Sequence, residues 1–105
     1  MINRDTVWQA LGTVLDPELD EPITELDFVA SCAVSGDGVA SVRLRLPTFF
    51  CAPNFSFLMV ADAYDAVSAV EGVTRAEIVL EDHHASDEIN RGVAAHAGFA
   101  ETFEA

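Results

Sequence analysis

Basic residues are scarce in this chain. Five stand against eighteen acidic ones over 105 residues, for a formal net charge of −13. Such a surface repels a phosphate backbone, so no nucleic-acid partner is expected. Long apolar runs are missing too. No stretch of 18 apolar residues occurs, which argues against a membrane-spanning helix. The opening "MINRDTVWQA" lacks the layout of a secretory signal, and the cytoplasm is the expected compartment. Cysteine appears only twice, as Cys32 and Cys51, with no CxxC spacing. A zinc knuckle and a thioredoxin-type motif are thereby excluded, and a structural disulfide is not expected in the cytosol. Three histidines, His83, His84 and His96, are too few for a self-contained zinc site. No phosphate-binding loop, GxGxxG run or Ser-His-Asp order is present.

Half of the residues are apolar, so one domain with a small two-layer core is within reach. Val7, Trp8, Leu11, Val14 and Leu15 recur at helical spacing and predict a helix over 4–15. Asn3 or Asp5 is placed to cap it, and Asp16-Pro17 to end it. After the acidic connection "DPELDEPITELD", the segment "FVASCAV" alternates, with Phe28, Ala30, Cys32 and Val34 on one face. "SGDG" reads as a hairpin turn. The return strand "VASVRLRL" turns Ala40, Val42, Leu44 and Leu46 inward, and Ser41, Arg43 and Arg45 outward.

A second helix is predicted over 54–70, with Val60, Ala63, Tyr64, Val67 and Val70 as its stripe, Asp62 and Asp65 outside, and Gly72 at C′. "VTRAEIVL" supplies a third strand, parallel to the second by the crossover rule. Ser86 is the expected N-cap of a last helix, with Asp87 and Glu88 in its first turn. Ile89, Val93 and Ala97 would pack, Gly98 would stop the helix, and Phe99 and Phe103 would tuck the tail down. The expected fold is α+β: a two-layer arrangement with a small mixed three-stranded sheet, in the order α-β-β-α-β-α. Residues 1–82 form the main domain, and 83–105 a helical tail packed on it.

Asp16, Glu18 and Asp20 alternate as in a calcium loop. The sixth position would be Glu21 rather than glycine, and the twelfth Asp27 rather than glutamate, so the EF-hand pattern fails. Cys32 falls on a strand face and reads as a small core residue. Cys51 lies on no periodic face. It stands between a strand and a helix start, where a thiolate is favoured. Phe49, Phe50 and Phe55 nearby would instead bury the sulfur and raise its pKa, and spacing does not choose between the two. His83 and His84 precede Asp87 and Glu88. Adjacent histidines point apart, so a surface role is expected over a site that joins either of them with Glu88 on a metal.

Several motifs together carry a resemblance. They are "LDPEL", then "ITELDFV", the hairpin, one cysteine before the second helix, and "VEGVTRAEIVL". Over residues 5–81 the chain resembles the MIP18-like family, the domain of unknown function 59, which contains iron–sulfur cluster assembly factors. The resemblance implies Cys51 as the signature thiol and metal ligand, Asp16 as the acidic residue after the first helix, with Glu18 beside it, and Thr48 in the approach to the cysteine. The chain departs from the family pattern at Pro47, which follows Leu46 directly, and at Ala52, which separates Cys51 from Pro53.

What the resemblance implies is an auxiliary factor, not an enzyme, that holds or passes iron or a transient iron–sulfur cluster for a client metalloprotein. Its partners would be that client or an assembly-pathway protein. One thiolate does not complete a cluster's coordination, so a homodimer, a partner or small thiols would supply the rest. Two rivals stand beside it. One is a thiol enzyme with Cys51 as nucleophile and His83 or His84 as base. The other is a metal-free accessory subunit of a multicomponent oxygenase, held through its acidic surface.

Overall fold

The computed structural model describes residues 3–46, 53–81, 83 and 85–95. Their elements run α1 (Arg4–Leu11), β1 (Val29–Val34), β2 (Val39–Arg45), α2 (Pro53–Ser68), β3 (Arg75–Glu81) and α3 (Ser86–Ala94). The expected α-β-β-α-β-α order holds, and the fold is α+β. The sheet order is β1-β2-β3. β1 pairs antiparallel with β2, and β3 pairs parallel with β2. β2 is therefore central, and its alternation is the clearest in the chain. Ala40, Val42 and Leu44 are buried against the helices. The opposite face is polar: Arg43 and Arg45 reach Glu81 at 3.0 and 3.4 Å, and the Ser41 hydroxyl donates to Glu77 at 3.2 Å. Among the described residues, no helix is long and apolar enough to cross a membrane.

α1 starts as expected, with the Asn3 side chain accepting the Thr6 N–H at 3.0 Å. It ends four residues early, at Leu11 rather than Leu15. The cause lies downstream. The backbone of 14–16 pairs with 21–23 instead of continuing a helix: Ile23 N–H donates to the Val14 carbonyl and Asp16 N–H to that of Glu21, each at 2.9 Å. Val14 is buried and Leu15 is left exposed, so Asp16-Pro17 is not the helix terminator.

β1 also departs from expectation. A register irregularity between Val29 and Ser31 leaves Ala30 without a partner and exposed, while Val29 turns inward beside Leu44. This bulge breaks the simple alternation, so Ala30 does not share a face with Cys32.

α2 covers 53–68, with Pro53 at its first position, where a missing N–H costs nothing. Gly72 takes a positive φ of 97°, but it lies four residues past the helix end and turns the chain into β3 rather than serving as C′. The hairpin turn needs glycine at Gly38, whose φ is 85° and where a Cβ would meet the Gly72 carbonyl at 2.6 Å.

α3 packs on β3 and α2, burying Ile89, Gly92 and Val93. Its cap position is Ala85, not Ser86. Ala97, Gly98, Phe99 and Phe103 lie outside the described residues.

Candidate functional site

The acidic connection is built around Asp16. Its Oδ1 accepts the N–H groups of Glu18 at 2.7 Å and Leu19 at 3.0 Å, and its carbonyl accepts that of Asp20 at 2.8 Å. Aspartate is suited to this task because its short side chain mimics a turn. Asp20 and Asp27 both hold left-handed backbone, at φ 56° and 63°. Ile23, fully buried, anchors the return arm. Asp16 is partly buried. Glu18 stands exposed, as does Leu19. The loop is thus a backbone-stitched structure with outward carboxylates. Among the described residues, no three His, Cys, Asp or Glu side chains converge as metal ligands would.

Cys32 sits in β1 opposite Val42 and is buried. Burial pushes its thiol above the ordinary range, and the nearby Arg4 guanidinium opposes this more weakly. Arg4 also donates from Nε to the Cys32 carbonyl at 3.0 Å, with its guanidinium 5.0 Å from the Trp8 ring centre. Raised pKa and burial make this thiol a poor ligand and nucleophile. Thr48 and Cys51, in the segment joining Leu46 to Pro53, lie outside the described residues, and so does His84, after β3.

His83 was expected at the surface, and the structure places it inside, only 5 % exposed. Its Nδ1 accepts the Ala85 N–H at 3.0 Å, and its Nε2 lies 3.1 Å from the hydroxyl of the fully buried Ser56. An N–H can only donate. Nδ1 is therefore the bare nitrogen, and Nε2 carries the proton and donates to Ser56 Oγ. His83 also donates its own N–H to Ser86 Oγ at 3.1 Å, and Ser86 N–H returns a bond to the His83 carbonyl at 3.1 Å. Ser86 is thereby occupied by His83 rather than by the first turn of α3. With both ring nitrogens engaged, His83 has none open to a metal. Glu88 points to solvent from the first turn of α3.

Ser56 is the residue that sequence reasoning missed. The signal was present: Ser56, Val60, Ala63 and Val67 share one helical stripe. A hydroxyl on a core stripe requires a partner. That partner ties the first turns of α2, just after segment 47–52, to the junction between β3 and α3.

Comparison with known proteins places this geometry. The profile of the "Iron-sulfur cluster assembly protein" family matches residues 4–78, from α1 into β3. The chain belongs to this family. It is 36% identical over 78 residues to an iron–sulfur cluster carrier protein of Synechocystis, a match covering 74% of the chain but only 21% of that longer protein. It is 28% identical over 90 residues to an uncharacterized protein of Methanocaldococcus jannaschii, covering 86% of the chain and 93% of that protein. The crystal structure of a domain of unknown function 59 from Bacillus anthracis superposes with a TM-score of 0.68 at 19% identity, over 89% of each chain. That likeness speaks for the fold. The family match reaches into β3 and stops short of α3, so His83 and its partners on α3 fall beyond it.

Proposed function

We propose that this member of the cluster-assembly family holds iron or an iron–sulfur cluster as cargo and passes it to a client metalloprotein, with Cys51 as the ligating thiolate. The observation that carries the reading is the state of the other cysteine. Cys32 is buried with its thiol pKa raised, so in a two-cysteine chain of this family thiolate chemistry falls to Cys51. A cluster usually takes four cysteine ligands, so a second copy, the client or small thiols complete the set. Thr48 lies in the same segment as Cys51 and would approach the cargo with it. Asp16, held rigid by two N–H groups, keeps the acidic loop in one shape, and Glu18 and its neighbours offer a carboxylate surface to a client. No turnover chemistry belongs to the protein itself, and its expected place is the cytoplasm. Support for this comes from the family, and from the name of the Synechocystis relative for the carrier role.

The test is anaerobic loading with ferrous iron and sulfide, followed by incubation with an apo-client. Wild type and Cys32→Ala should retain iron and transfer it, while Cys51→Ala should not. Normal client maturation by a Cys51→Ala protein that binds no iron would replace this reading with that of a metal-free accessory subunit.

A further inference from the structure

The two outer strands of the sheet present different edges. β1 is interrupted by the irregularity at Ala30, a device that blunts an edge against further pairing. β3 pairs with β2 in unbroken register from Arg75 to Glu81, so its far edge is regular. At Leu80 that edge is closed by Asn90, whose Oδ1 accepts the Leu80 N–H at 2.8 Å and whose Nδ2 donates to the Leu80 carbonyl at 3.1 Å. Both Leu80 groups thus point away from β2. Backbone direction alternates along a strand, so the N–H and C=O groups of Ala76 and Ile78 point outward as well. Among the described residues, no backbone bond closes the edge there. It opens on a groove of about 480 Å³ between β3 and α3, whose lining includes Ile78, Val93 and Ala94. The charges beside this edge complement themselves. Arg75 and Glu77 are both exposed on the polar face, 3.1 Å apart.

We propose that the edge is covered by β3 of a second copy, laid antiparallel about a two-fold axis at Ala76. A two-fold contact must be self-complementary, and this limits the register. An axis at Ile78 sets Ala76 against Leu80, whose groups Asn90 already holds. An axis at Glu77 or at Arg75 sets like charges directly opposite, which is destabilising. An axis at Ala76 lets the two Ala76 residues exchange both N–H···O=C bonds. It also sets Arg75 of each copy opposite Glu77 of the other. These are non-hydrogen-bonded positions, where facing side chains lie closest. The ion pair within one chain then becomes a ring of four alternating charges. On the helix side, Ile78 of the second copy enters the groove beside α3. The contact is small, so the dimer is weak and forms as concentration rises. It does not rest on the cargo proposed for Cys51, and its test uses iron-free protein.

The test is sedimentation of the full chain under reducing conditions over a range of concentrations, with residue-resolved amide hydrogen exchange on the same samples. Wild type should pass from monomer to dimer, and exchange at the Ala76 amide should slow by at least about tenfold as it does, while the β1 amides keep their rates. Arg75→Glu and Glu77→Arg should each prevent the dimer, and the two together should restore it, an effect that a merely weakened fold would not give. If Glu77→Arg fails to fold, Ala76→Pro decides: it removes the outward N–H at an edge position where proline is tolerated, and it should stay monomeric. A wild type that is monomeric at every concentration would overturn the proposal. So would a dimer that Arg75→Glu and Ala76→Pro leave intact, or one whose formation leaves exchange at Ala76 unchanged, since the contact would then lie elsewhere.

Discussion

Two polar knots hold the irregular parts of this protein, and they differ in where they lie. The knot at Asp16 is near the surface: one carboxylate oxygen gathers two backbone N–H groups, and the side chains of 17–21 beside it face water. The knot at His83 is inside: an imidazole spans from Ala85 to Ser56 with almost no exposure. The bonds are similar in length, yet their energetic consequences differ. When a partner is lost at the surface, water replaces it. When one is lost in the core, the remaining group keeps its desolvation cost. Exposed polar stitching therefore sets local shape, while buried stitching sets whether elements dock at all.

The largest effect should come from His83→Ala. It removes a buried hydrogen-bond partner from the Ser56 hydroxyl and from the Ala85 N–H and opens a void, so a loss of about 2–4 kcal/mol is expected from denaturant unfolding. Ser56→Ala removes the partner of His83 Nε2 and should cost about 1–2 kcal/mol. If both variants melt like wild type, the inner knot contributes nothing and the contrast collapses. Asp16→Ala comes next, at about 1 kcal/mol, the usual worth of a side chain capping backbone N–H groups. Its signature is local: faster exchange at the Glu18 and Leu19 amides with little change in the core.

The smallest effect belongs to Asp62. Burial first, and Asp65 second, raise its carboxyl pKa. A folded-state pKa above the unfolded value means that the folded protein favours the protonated form. Ionisation then subtracts stability as the pH rises through the folded pKa. Asp62→Asn should therefore raise the melting temperature slightly at neutral pH, with the advantage vanishing below the unfolded carboxylate range. A gain that persisted unchanged in acid would contradict this sign.

Much of the sheet was legible in the residues. β2 could be read directly because one face is wholly apolar and the other carries Arg43 and Arg45, so burial and alternation agree. The end of α1 could not. Val14 and Leu15 continue the helical spacing, and only the pairing of 14–16 with 21–23 overrides it. The bulge at Ala30 was equally hidden, since a one-residue insertion leaves composition unchanged. Cys32 read correctly as core because its neighbours are strand residues of known facing. His83 misled because a histidine pair in an acidic, polar run looks solvated; its burial depends on Ser56, 27 residues away. Asp16 was legible as the acidic residue after the first helix, but its bonds to the Glu18 and Leu19 N–H groups were not, because they depend on the turn that the loop makes. The roles of Thr48 and Cys51 rest on the family resemblance and on chemistry.

The functional account divides the roles of the two cysteines, and one measurement tests it most directly. Cys51→Ala and Cys32→Ala are each loaded anaerobically, assayed for iron and sulfide per chain, and followed by melting curves and by transfer to the apo-client. The account predicts that Cys51→Ala keeps its melting temperature but loses cargo and transfer. It predicts that Cys32→Ala keeps both while losing about 1 kcal/mol of stability from a small void in β1. Cargo retained by Cys51→Ala at the wild-type level, or lost from Cys32→Ala while that variant remains folded, would contradict the assignment of the thiol.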